Sequence, residues 1–165
     1  MKISKRKLAE FRDAFRRRKV EKPHLVGAYK KSQVLIRKPE IISIAGQEVF
    51  QATIVNPRLG TGLAPYHDHV TATAMQMAAH QTVVSCFKKF KKVNGYDMPT
   101  VDIKLRLNKK APLSNKLLVQ VEETKSTDLN GAKFKTFKCQ IIDANTEAVY
   151  SNGSFMIAMI PKNKK

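Results

Sequence analysis

The sequence predicts an α+β domain in which a curved antiparallel sheet wraps one long central helix, with an extra basic helix at the N-terminus. Three observations carry this. Between Val70 and Phe87 the chain has no charged residue, no Gly and no Pro, and Ala recurs at 72, 74, 78 and 79. Such a run forms a helix of about five turns, apolar on nearly every side and therefore buried. After it, segments rich in β-branched residues alternate apolar and polar positions, the signature of half-buried antiparallel strands. Before it, shorter runs of the same kind flank a Gly-containing turn.

The elements follow in order. Residues 3–19 (ISKRKLAEFRDAFRRRK) space Leu8, Phe11 and Phe15 as one narrow apolar stripe on a basic helix, which Pro23 closes. The stripe suits docking on the body of the protein. A membrane-surface or nucleic-acid role for residues 2–22 is the less favoured reading, since no helix-turn-helix spacing or Cys/His finger accompanies it. Strands are expected at Gln33–Ile36, Ile41–Ile44 and Glu48–Val55, the last two joined by a hairpin turn at Ala45-Gly46-Gln47. Residues 56–68 (NPRLGTGLAPYHD) form a Gly- and Pro-rich loop feeding the long helix, with Asp68 as the expected N-cap. Four strands follow, at Thr100–Asn108, Lys116–Thr127, Lys133–Asp143 and Ala148–Ile160, separated by turn-forming residues. The domain division is 1–31 as a basic helical extension, 32–161 as the sheet-and-helix domain and 162–165 as a basic tail.

With 165 residues, 42% of them hydrophobic, one domain with a real core is expected. The net charge of +18, from 31 Lys and Arg against 13 Asp and Glu, favours polyanionic partners or simply a solvated basic surface. Cys86 and Cys139 sit among apolar neighbours and read as buried free thiols. No secretory signal or membrane span is evident, which gives a cytoplasmic expectation. Walker, Rossmann, zinc and serine-elbow motifs are all missing, so neither a metal nor a cofactor is expected.

This order of elements, closing on Val149-Tyr150-Ser151-Asn152-Gly153-Ser154-Phe155-Met156-Ile157-Ala158, resembles the hotdog fold of the acyl-thioester superfamily of thioesterases and acyl-carrier-protein dehydratases. The resemblance spans roughly residues 32–161. Within the superfamily, His69-Val70-Thr71-Ala72, His80-Gln81 and Ser85-Cys86-Phe87 are similar to the central helix of FcoT-like (type III) long-chain fatty acyl-CoA thioesterases. That family carries Asn at the positions matching Thr71 and His80, so its amide chemistry is replaced here. Dehydratases pair a loop His with an acid in the helix, whereas no Asp or Glu lies between Val70 and Phe90. The resemblance implies a thioesterase acting on fatty acyl-CoA or acyl-carrier-protein substrates, and a homodimer or larger homo-oligomer with sites at the interface. The alternative is a non-catalytic hotdog protein that binds acyl thioesters or serves as an interaction module.

Thioester hydrolysis needs donors for the developing oxyanion, a group to activate water and a slot for the acyl chain. A helix N-terminus supplies the donors through its unpaired N–H groups and dipole. His69 and Asp68 are therefore candidate general bases, with Thr71 and His80 as further candidate catalytic residues. Tyr66, Thr73, Gln76 and Lys109 are candidate substrate contacts. His69, Thr73, Gln76 and His80 fall on one polar stripe of the helix. Thr71 and His80 are about half a turn out of phase, so a site using both draws one of them from a second subunit. Lys88, Lys89, Lys91, Lys92, Lys109 and Lys110 are candidates for coenzyme A phosphates or an acidic carrier. Met75, Met77 and Met156 suit either an acyl slot or a core.

Overall fold

The computed structural model describes residues 20–28, 30–55 and 69–162. The expected basic helix over residues 3–19, and Tyr66 and Asp68, lie outside them. Short 3₁₀ turns at Pro23–Leu25 and Lys31–Gln33 precede the sheet. Of the expected strand at Gln33–Ile36, Gln33 closes a turn, Val34 and Leu35 follow it, and only Ile36 belongs to the first strand. The physical reason is the Gln81 side chain, which donates to the Gln33 carbonyl (2.7 Å) and accepts from the Leu35 N–H (2.8 Å). One buried amide thus does what a neighbouring strand would do, and staples the chain to the central helix.

Strand β1 (Ile36–Ile44) runs longer than its sequence suggests, because a register shift between Arg37 and Glu40 absorbs Lys38 (φ 50°) and Pro39. Its hairpin partner β2 (Gln47–Ile54) follows a two-residue turn in which Ala45 and Gly46 both take positive φ (50° and 80°). Strands β3 (Tyr96–Asp97), β4 (Thr100–Leu107), β5 (Leu117–Leu129), β6 (Ala132–Asp143) and β7 (Val149–Pro161) complete an antiparallel sheet. The order is β1-β2-β5-β6-β7, with β3 and β4 pairing successive parts of β7. The short β3, which pairs the end of β7, is not among the strands expected from the sequence. β5 and β6 extend to a tight turn at Asn130–Gly131 (φ 49° and 78°), beyond the expected end at Thr127.

The central helix α1 covers Ala72–Lys89, 18 residues, and packs on β1, β2, β4 and β5. Its cap is Thr71, whose Oγ1 accepts from the Ala74 N–H (3.2 Å), not the expected Asp68. Residues before it are extended: His69 bridges Pro112 and the Val70 N–H donates to the Ala111 carbonyl (2.9 Å), so the helix cannot start earlier. Ala74, Ala78 and Ala79 let the sheet approach, while Met75, Val83, Val84 and Phe87 fill the core against Phe50, Val119, Phe137, Ile141 and Phe155. Cys86 and Cys139 are buried free thiols.

Gly153 marks the tightest point of the sheet. A Cβ there would lie 2.0 Å from the Lys104 carbonyl oxygen, a backbone atom that cannot rotate away. Gly153→Ala is therefore expected to break the β4–β7 register locally and lower stability by about 1–3 kcal/mol, read as a fall in the denaturation midpoint.

Where β6 turns into β7, the Asp143 carboxylate gathers the Asn145 N–H (2.8 Å), the Thr146 N–H (3.1 Å), the Asn115 amide (2.5 Å) and the Tyr150 hydroxyl (3.4 Å). The Asn145 bond above all, with those of Thr146, Asn115 and Tyr150, holds its pKa below the usual carboxylate value against the opposing effect of burial. A depressed acid stabilises the fold above its unfolded pKa of about 3.9, and that contribution disappears as pH falls through the lower folded value. Asp143→Asn is expected to lower stability at neutral pH and to flatten the stability–pH curve below about pH 4, measured by denaturant titration.

Candidate functional site

The open side of the molecule lies along α1 where it faces edge strand β4. Thr73 is exposed, and Gln76, Met77 and His80 are half-buried, whereas the opposite side of the helix is sealed. Across from them, β4 pairs among the described residues only with β7 and shows Val101 and Leu107 to solvent at 55% and 53% exposure, with Ile103 and Leu105 half-covered.

The N-terminus of α1 has the features that oxyanion stabilisation requires. Thr71 Oγ1 takes the Ala74 N–H and the Thr71 carbonyl takes the Met75 N–H (3.1 Å). The N–H groups of Ala72 and Thr73 have no partner among the described residues. Half-buried His69 directly precedes this turn, held by its bridge to Pro112. His69, Thr71 and Thr73 thus follow one another in the chain at one helix end.

The other expected residues lie elsewhere. His80 lies on the β4 side, its Nε2 2.7 Å from the Met98 carbonyl. Burial pushes its pKa down, the Met98 hydrogen bond opposes this, and Lys88 adds a further downward push. A neutral ring donating Nε2–H to Met98 satisfies both facts. Lys109 places its Nζ 5.0 Å above the Tyr150 ring, near the Asp143 cluster. Lys89 pairs with Glu21 (2.9 Å) and Lys91 with Glu48 (2.6 Å), so neither is an uncommitted phosphate ligand. Neither cysteine is a nucleophile: burial pushes Cys86 up to about 12 and Cys139 up to about 11, so both stay protonated. Met75 belongs to the core and Met77 to its open edge. Ser85 is fully buried, and its Oγ has no hydrogen-bond partner among the described residues.

A cavity of about 1210 Å³ extends between the β1–β2 turn and β4 and touches Gln76 of the helix. Most of its lining side chains belong to positions that alternate with the helix-facing ones, a feature with no signature in the linear sequence. Among the described residues no group of three His, Cys, Asp or Glu is placed to hold a metal, and no helix is long and apolar enough to cross a membrane.

This architecture is shared with solved thioesterase-superfamily structures, and the chain has the hotdog fold. The yhdA protein of Lactococcus lactis matches over 78% of this chain and 94% of its own, with TM-score 0.58 and 12% identity. Zebrafish thioesterase superfamily member 2 matches over 96% and 99%, with TM-score 0.53 and 8% identity. A hypothetical thioesterase of Streptococcus pneumoniae, solved with coenzyme A, matches over 77% and 89%, with TM-score 0.50 and 14% identity. No family model and no curated protein sequence matches the chain. The likeness to FcoT-like enzymes therefore rests on the helix residues alone.

Proposed function

We propose that the protein is an acyl-thioester hydrolase acting on an acyl-CoA or acyl-carrier-protein substrate. The observation that carries this is the N-terminal turn of α1, where His69 lies two residues ahead of the Thr71 cap and the N–H groups of Ala72 and Thr73 have no partner among the described residues. The thioester carbonyl oxygen is received by those two N–H groups, where the helix dipole stabilises the negative charge of the tetrahedral intermediate. His69 takes a proton from water as the water oxygen bonds to the carbonyl carbon. Collapse breaks the C–S bond, and the same proton passes to the departing sulfur, leaving a free thiol and a carboxylic acid that loses its proton to solvent. Thr71 sets the turn through its cap and holds the donors in place. Asp68, adjacent in the chain, is the alternative base. Coenzyme A in the Streptococcus pneumoniae structure supports the choice of carrier.

The acyl chain is assigned to the apolar strip between the open side of α1 and β4. The same strip supports a homodimer. β4 has one free edge, eight residues long and flanked by exposed Val101 and Leu107, and such an edge is normally covered or paired. Pairing with β4 of a second copy would close the strip and bring the partner's helix alongside. Release of thiol from acyl-CoA by the purified protein tests the activity, and sedimentation tests the dimer. Saturable acyl-CoA binding without thiol release favours the binding-module alternative, to which the lack of any carboxylate in α1 also points.

A further inference from the structure

The face of the sheet turned away from α1 carries two adjacent polar rows that only the strand register brings together. In the first, Glu40, Gln51, Gln120, Gln140, Asn152 and Arg106 are successive cross-strand partners over six strands. Gln140 donates to Gln120 (2.8 Å), Gln120 to Gln51 (2.7 Å) and Gln51 to the Glu40 carboxylate (2.8 Å). The amides are therefore tied in series, and Gln120 is only 9% exposed. In the second row, Val49, Glu122, Lys138, Ser154 and Lys104 are partnered in the same way. That these rows point away from the helix follows from alternation, since the intervening Phe50 meets Phe87 of α1.

The rows supply half of the residues lining the 1210 Å³ cavity, which also reaches Gln76, Ile103 and Leu105 at the open side of α1. The Glu40 end of the first row is closed by a carboxylate. At the other end stand Arg106 and Lys104 on β4, while Lys138 lies two strands away on β6, opposite Glu122, the one acid in the lining. None of these three cations makes an ion pair among the described residues. The cavity is thus an amide floor with two uncommitted cations at its β4 edge and a third further along the sheet.

We propose that this groove is a binding site for a phosphorylated small molecule of nucleotide size, set apart from the oxyanion donors at the N-terminus of α1 and meeting the α1–β4 strip at Gln76, Ile103 and Leu105. Arg106 offers a planar fork suited to a phosphate, with Lys104 as a point charge on the same strand and Lys138 across β7 from it. Asn152 lies between Arg106 and the Gln140 amide, and Ser154 between Lys104 and Lys138, so hydrogen-bonding groups and charge are contiguous. The volume exceeds the roughly 300–1,000 Å³ of usual small-molecule pockets, enough for a nucleotide with ordered water. Other occupants fit less well. An acyl chain would desolvate the amides and charges, at a cost. A nucleic-acid strand would lack a stacking platform, because no lining residue is aromatic. A second copy would set three cations against three cations across a twofold axis.

The site does not depend on hydrolysis. Calorimetric titration of the full chain with ATP and with coenzyme A, each at two salt concentrations, tests it. At least one is expected to bind one per chain, more weakly at high salt, and the triple variant Lys104→Gln, Arg106→Gln, Lys138→Gln is expected to bind it at least tenfold more weakly. A control variant removing three charges elsewhere, Lys22→Gln, Lys116→Gln, Lys133→Gln, should bind like the parent. Competition between the two ligands assigns the groove to the phosphorylated end of the carrier, and ATP binding that coenzyme A does not displace assigns it to a free nucleotide; either supports the proposal. It is overturned if neither ligand binds, if the triple and control variants bind alike, or if the triple variant changes the oligomeric state, which would make this face a contact between copies.

Discussion

Replacing Phe137 by Ala is expected to lower stability by about 3–5 kcal/mol, the range for a large aromatic lost from a core. Phe137 is fully buried, and its ring is the middle of a four-ring chain. Its centroid is 5.2 Å from that of Phe155, nearly stacked at 23°, and 6.1 Å from that of Phe87 at 64°. Phe87 in turn meets Phe50 edge-on at 5.5 Å. The chain joins β7, β6, α1 and β2, so truncating the middle ring leaves a void that no single element can close by shifting. Since domains of this size are stable by roughly 5–15 kcal/mol, the variant is expected to unfold at a much lower denaturant concentration. Phe90, 45% exposed at the end of the helix, is the control: Phe90→Ala is expected to change stability by no more than about 0.5 kcal/mol. A loss below about 1 kcal/mol for Phe137→Ala would contradict this account of the core.

Replacing His69 by Ala is expected to reduce kcat by about 10²–10⁴, the usual contribution of a general base, with little change in KM. The expectation follows from position. His69 is fixed by an isolated bridge to Pro112, two residues before the Thr71 cap of the helix, whose Ala72 and Thr73 N–H groups have no partner among the described residues. Removing the imidazole leaves those donors and the acyl strip intact, so substrate still binds while water is no longer activated. His80→Ala should behave differently. Its ring is engaged with the Met98 carbonyl, so its loss should lower stability more than it changes turnover in the folded fraction. If His69→Ala keeps full turnover and Asp68→Ala abolishes it, the base is Asp68.

The parts of this structure that can be read from the sequence are those set by local pattern. Val70 to Phe87 lacks any charge or helix breaker, and the observed helix ends within two residues of that run at either side. Strict alternation in Val101, Ile103, Leu105 and Leu107, and in Leu117, Val119 and Val121, places strands where they are found. What escapes the sequence is set by partners far along the chain. Asp68 and Thr71 are both good capping residues, and the choice between them falls to the Pro112 bridge and the Ala111 carbonyl, some forty residues later. Gln33–Ile36 has the composition of a strand, yet Gln81 satisfies its backbone from the helix. Lys109 reads as an uncommitted cation, but Tyr150 lies beneath it. The amide series is the clearest case: Gln51, Gln120 and Gln140 are unremarkable singly and meet only through the register of β2, β5 and β6.

Thiol release from a panel of acyl-CoAs of graded chain length tests the hydrolase reading most directly. Turnover with a length optimum, lost in His69→Ala while the variant remains folded, is the predicted result. A folded wild-type protein that releases no thiol from any member of the panel, at concentrations where the compounds bind saturably, would contradict it.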